Sequence, residues 1–214
     1  MVGPDDKQRP LLDDLKNTAA QAAEVFRNAC PTTVPMTPVG RLQAMIGRLR
    51  ATLEAVHLVG LPLEKFYDSL SDEQRARFNA MGPAVGRQEV QAAQGNARGS
   101  AAADQHACVN AKPGLADLPI DRIDEEVQPN GDQEDALDRL SDATQEAVKA
   151  LQTACPTSTP LTPVGRLEAM EQRLDALLTA ATTIQPALDK FYALLTNEQK
   201  ARFNELDRNL AGRG

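Results

Sequence analysis

His57 and His106, with Cys30, Cys108 and Cys155, are the imidazoles and thiols that could serve this chain as general base, nucleophile or soft-metal ligand. They are scattered, and no Cys or His pair has the short spacing that closes a zinc site. Carboxylates come in runs, Asp13-Asp14, Asp72-Glu73 and Asp124-Glu125-Glu126. Such runs read as solvated helix faces and first-turn charges, with a hard-metal site as the alternative. The chain supplies its own test of these candidates. Residues 30–79 return as residues 155–204 at a constant offset of 125, with 28 of 50 positions identical and no gap. Chemistry common to both copies needs residues present in both. His57 aligns with Thr182 and His106 falls outside the block, so no base recurs. No catalytic residue, metal ligand or cofactor is predicted, and each histidine is expected to face solvent or line a helix.

The cysteines leave two readings. Cys30 and Cys155 are equivalent, each followed by Pro and Thr, while the counterpart of Cys108 would fall before Met1. One reading pairs Cys108 with Cys155 in a disulfide within the second copy and leaves Cys30 without its partner; the other is three thiols. The 125-residue register already holds at Val2/Val127, Pro4/Pro129 and Gln8/Gln133, so the repeat is expected to extend before the first residue.

What recurs is surface chemistry. Arg41/Arg166, Arg48/Arg173, Arg75/Lys200 and Arg77/Arg202 repeat, as do Lys65-Phe66-Tyr67 and Lys190-Phe191-Tyr192. Arg41 and Arg48 are seven residues apart, on one side of a helix. Cationic heads on long apolar stems beside aromatic rings make a strip able to hold extended polypeptide. Arg41, Arg48, Lys65, Tyr67, Arg77, Arg166, Arg173, Lys190, Tyr192 and Arg202 are therefore the candidate binding residues, against the plainer reading of helix-face charges and core aromatics.

Helices must position them. Aromatics make up 3% of the chain and Trp is absent, so the core is built from Leu, Ala, Val and Met, which suits helix packing. An all-α fold is expected. Leu12, Leu15, Ala19, Ala22 and Phe26 form one apolar stripe, repeated as Leu137, Leu140, Thr144, Ala147 and Leu151, and predict helices over about 6–29 and 131–154. Each stops at Cys-Pro, because the residue before proline is driven out of the α region. Thr37-Pro38 and Thr162-Pro163 are N-cap and first-turn signals. A heptad stripe from Leu42 to Leu70, copied from Leu167 to Leu195, keeps phase across Pro62 and Pro186. One long helix is expected in each copy, 38–70 and 163–195, kinked at the proline.

Both long helices end in the same pentapeptide, Leu70-Ser71-Asp72-Glu73-Gln74 and Leu195-Thr196-Asn197-Glu198-Gln199. Ser71 or Thr196 at N-cap and Gln74 or Gln199 at N3 can bond reciprocally as a capping box. Leu70 and Leu195 close the preceding apolar stripe. The motif thus predicts a structural corner that starts a third, shorter helix. A further amphipathic helix is expected within 118–127, ended by Pro129-Asn130-Gly131.

The organisation follows: a first helical unit over 1–83, a polar linker over 84–118 and a second helical unit over 119–214. Each unit is expected to be elongated or cradle-like, its long kinked helix flanked by shorter antiparallel ones. The net charge of −7 and the pI near 4.9 give no footprint for nucleic acid. No apolar run reaches the roughly 20 residues of a membrane span.

At these residues the chain resembles the Spy/CpxP family, whose signature is the LTxxQ motif. Leu195-Thr196-Asn197-Glu198-Gln199 matches it fully, and Leu70-Ser71-Asp72-Glu73-Gln74 has Ser for Thr. The resemblance implies an all-helical, non-enzymatic periplasmic protein, often a homodimer, that binds unfolded clients without ATP. As a second reading it implies an envelope-stress adaptor docked on a sensor protein. A third class is small-molecule or metal binding between the units. Metal-responsive relatives use His-rich segments that this chain lacks.

Overall fold

Leu, Ala and Val at three- and four-residue spacing fold as helices throughout the computed structural model, which describes residues 3–30, 33, 35–80, 119–154 and 160–211. Among these residues there are seven helices and no strand. They are α1 (Arg9–Asn28), α2 (Pro38–Asp68), α3 (Asp72–Ala80), α4 (Ile120–Val127), α5 (Asp132–Thr153), α6 (Pro163–Leu194) and α7 (Asn197–Ala211). The all-α class is as the sequence implies. None of them is long and apolar enough to cross a membrane.

The long helices start where the local chemistry says. Gly40 N–H donates to Thr37 Oγ1 at 3.1 Å, and Gly165 N–H to Thr162 Oγ1 at 3.1 Å. Each threonine thereby takes up one of the donors that a helix start leaves without a carbonyl. Both helices then run through their internal prolines, Pro62 and Pro186. The apolar stripe is what holds them together there, since the proline itself removes one rung of the helix.

The chain divides into two compact bodies that do not coincide with the two sequence copies. One takes the described residues of Met1–Arg27, Thr52–Ala111 and Cys155–Arg173, the other those of Asn28–Ala51, Lys112–Ala154 and Leu174–Gly214. Each long helix therefore starts in one body and ends in the other. The first body is built from α1, the later part of α2, α3 and the first turns of α6. The second is built from the first turns of α2, the later part of α6, and α4, α5 and α7.

The second body has the closed core. Leu42 and Ile46 of α2, Leu137 and Leu140 of α5, and Ile184, Leu188 and Phe191 of α6 are buried in one cluster. Ile123 and Val127 of α4 complete it where α4 packs on α7 and α5. The chain leaves α4 through a left-handed Gln128 (φ 51°) and enters α5 through Gly131 (φ 53°), a conformation in which glycine carries no steric cost.

In the first body the apolar stripe of α1 departs from the sequence reading. Ala19 is exposed and Phe26 is 47% exposed, although both lie on the apolar face of α1. Their counterparts on α5, Thr144 and Leu151, are buried and partly buried. A helical stripe states which side of a helix is apolar; what covers that side depends on other elements. Cys108, Cys155 and the linker over 84–118 lie outside the described residues, and Cys30 is exposed just beyond α1.

Candidate functional site

The pentapeptide corner is a pair of linked caps. In the first copy Ser71 N–H donates to Gln74 Oε1 at 2.9 Å and Gln74 N–H donates to Ser71 Oγ at 3.3 Å. Thr196 and Gln199 repeat this at 2.9 and 3.3 Å. A capping box accepts either Glu or Gln at its last position, so the cap alone does not explain the glutamine. The other half of the side chain does. Gln74 Nε2 donates to Gln8 Oε1 at 2.9 Å while Gln8 Nε2 donates back to Gln74 Oε1 at 2.9 Å. Gln199 and Gln133 form the same closed amide pair, at 2.9 and 3.0 Å.

Gln8 and Gln133 are themselves cap residues. Gln8 Oε1 accepts from Asp5 N–H, whose carboxylate accepts from Gln8 N–H, at 3.0 and 2.9 Å. Gln133 Oε1 accepts from Asn130 N–H at 3.2 Å. Gln8 Nε2 also donates to Ser69 O, and Gln133 Nε2 to Leu194 O, at 2.7 and 2.9 Å. The start of one helix is thus tied to the start of another and to the end of the long helix between them. A glutamate in place of the motif glutamine would keep the cap acceptor and lose the Nε2 hydrogens that the motif glutamine gives to this network. The spare Nε2 hydrogen of Gln74 reaches Gly3 O, and that of Gln199 reaches Gln128 O and Val127 O. Gly3 and Gln128 are equivalent positions, and both have positive φ.

The aromatic residues of the corner pack inward. Phe66 is 1% exposed and meets Phe78 edge-on at 5.8 Å; Phe191 meets Phe203 in the same way at 5.7 Å. Tyr67 lies under the Arg75 guanidinium at 5.5 Å and Tyr192 under the Lys200 ammonium at 5.4 Å. These are cation–π contacts that hold the start of the third helix against the end of the second. Arg75 adds hydrogen bonds to Tyr67 O and Asp68 O, which cap carbonyls at the end of α2.

The ten candidate binding residues fall into four settings. Arg41 Nε is bonded to Pro35 O and Arg166 Nη1 to Leu161 O, so both fold back on the turn before their helix. Arg77 pairs with Glu73 one turn earlier, and Arg202 reaches Glu126 O. Arg48, Lys65, Arg173 and Lys190 are exposed on the long helices, while Tyr67 and Tyr192 are half-buried. Arg166 and Arg173 belong to the first body, as do Lys65, Tyr67 and Arg77; Arg41, Arg48, Lys190, Tyr192 and Arg202 belong to the second.

The first body also holds a cavity of about 320 Å³, a feature that motif reading did not find. Ala22, Ala23 and Phe26 of α1 form one wall, and Thr52, Val56 and Val59 of α2 a second. Leu167 and Met170 of α6 form the third, and no lining residue is charged. Met170, a member of the predicted buried stripe, is 44% exposed and sits with Phe26 at the lip. Beside the α2 and α6 walls, His57 Nε2 and Glu171 Oε1 are 2.9 Å apart, with side chains 54% and 40% exposed. His57, which the other copy replaces by Thr182, is thus half solvent-facing and also joins α2 to α6. The signal that could have found the pair is that Glu171 takes the place of Ile46 where His57 takes the place of Thr182.

Among the described residues no three His, Cys, Asp or Glu side chains come together as metal ligands. The profile described as LTXXQ motif family protein matches residues 1–82 and 115–207. Neither the curated proteins nor the solved structures yield a match.

Proposed function

The chain belongs to the LTXXQ motif family, and from that membership we propose that it is a periplasmic, ATP-independent chaperone-like protein that holds unfolded or partly folded polypeptides. The observation that carries the reading is the lip of the first body's cavity, where Phe26 and Met170 stand exposed beside an uncharged hollow. A ring and a flexible thioether in that setting suit apolar segments of varied shape, which unfolded chains display and folded ones conceal. Binding of this kind draws on the removal of apolar area from water and involves no nucleotide and no catalytic step. The exposed cations Arg48, Lys65, Arg173 and Lys190 would add weak, salt-sensitive attraction for acidic stretches of a client.

Light scattering tests this directly. Aggregation of a reduced, unfolding client should be suppressed at equimolar ratio without nucleotide. No protection at several-fold excess overturns the reading, as does a pull-down that returns one saturable folded partner in place of unfolded chains.

A further inference from the structure

The two sequence copies place equivalent residues around the first body's cavity and in the second body's core, and the two places differ in whether they are full. Ala22, Val59 and Leu167 line the cavity. Their equivalents at the 125-residue offset are Ala147, Ile184 and Leu42, each buried in the second body's cluster. The lip residues follow suit: Phe26 and Met170 are about half exposed, while Leu151 and Met45 are partly buried against that cluster.

Side-chain size accounts for the difference. Leu177, Val148 and Ile184 in the second body become Thr52, Ala23 and Val59 in the first, a loss of bulk at three lining positions. Val56 in place of Ala181 offsets part of that loss. Beside them Ile46, buried in the second body, becomes Glu171, which turns to His57 at the edge. The second body shows what fills such a space when the chain supplies it, namely the aliphatic groups of Ile184 and Ile46. In the first body the lining is uncharged, and the neighbouring carboxylate is already met by an imidazole at 2.9 Å. The complementary occupant is therefore neutral and apolar. A volume near 320 Å³ lies at the lower end of the range for ligand pockets, about 300–1,000 Å³, room for a few aliphatic side chains.

We propose that this cavity is a client site of one body only: it takes leucine-, isoleucine- or valine-like side chains of an extended polypeptide, one polypeptide per chain, in the place the second body fills with its own aliphatic residues. The inference rests on the chaperone reading and adds to it a location, a side-chain class and a stoichiometry.

The test uses the full chain and a short unstructured peptide with leucine at alternate positions, set against the same peptide with serine in their place. Calorimetry should show one leucine peptide bound per chain and none of the serine peptide. Thr52→Leu and Val59→Ile restore the second body's own residues; Thr52→Leu should weaken binding about tenfold or more, the affinity that burying one aliphatic side chain supplies, and Val59→Ile about fourfold, the share of one methylene. Melting curves establish that each variant is folded, and Val59→Ile, which adds one methylene, decides the matter should Thr52→Leu unfold. A readout free of substitution comes from methionine methyl resonances: the Met170 signal should move on titration and that of its equivalent, Met45, should stay. Two peptides per chain, a shift at Met45 without one at Met170, or unchanged binding in both variants overturns the site while the chaperone reading stands on its aggregation assay. N-phenylnaphthylamine should be displaced by the leucine peptide; saturation without displacement overturns the proposal in favour of a small apolar ligand. A chain that neither binds the peptide nor suppresses aggregation overturns both readings together.

Discussion

Replacing Gln199 by alanine should cost more than the loss of a helix cap. Its side chain is 6% exposed and takes part in five hydrogen bonds beyond its own backbone. Truncation removes the acceptor for Thr196 N–H, which as a cap interaction is worth about 1 kcal/mol. It also strips the Gln133 amide of its partner and the carbonyl of Val127, a fully buried residue, of a donor, at about 1–3 kcal/mol for buried polar groups left unmade. The sum is about 2–4 kcal/mol, or a fall of about 10–20 °C in Tm for a body of this size. Gln74→Ala should cost less, about 1 kcal/mol, because its cap bonds are exposed and water replaces them. Gln199→Glu separates cap from pair. It keeps the acceptor and adds a favourable charge at a helix start, yet it sets a carboxylate against Gln133 Oε1 and has no hydrogen for Val127 O. Urea and thermal melts of the three variants, with a Gln133/Gln199 double-mutant cycle, measure each part. If Gln199→Glu is as stable as wild type, or Gln199→Ala costs less than about 0.5 kcal/mol, the amide pair is not what the motif glutamine is for.

The other predictions are local. Thr37→Ala and Thr162→Ala should each lower stability by about 1 kcal/mol in denaturant melts, since each threonine holds a first-turn amide. Gly165→Ala should destabilise despite alanine's better helix propensity, because the added Cβ would lie 3.0 Å from Pro160 Cβ and 3.1 Å from Thr162 Oγ1; Gly47→Ala, with open space around it, should stabilise by up to about 1 kcal/mol. Glu171→Gln should change the melting free energy by less than about 1 kcal/mol, as befits a pair this exposed, so that any larger effect on client binding reports on the cavity edge.

Much of the fold is written in short-range pattern. The stripes that predict the long helices run through Pro62 and Pro186, and the helices do too. Thr37 and Thr162 announce their caps, and the pentapeptide its corner, because each depends on residues within four positions of one another.

The candidate site was legible only in pieces. Gln8 and Gln133 repeat in the sequence, but their pairing with Gln74 and Gln199 spans 66 residues, and nothing local in a glutamine names a partner that far away. The exposure of Phe26 on a face that reads as buried has the same origin. Sequence by itself determined the helices, their ends, the corner and the equivalence of the two copies, since these follow from spacing and from the backbone's need for partners. Tertiary structure alone decided which amides meet, that His57 and Glu171 meet across 114 residues, and that one set of equivalent positions closes into a core while the other stays open. Packing sums small differences in volume from several helices, and the sum exists only once the helices have been brought together.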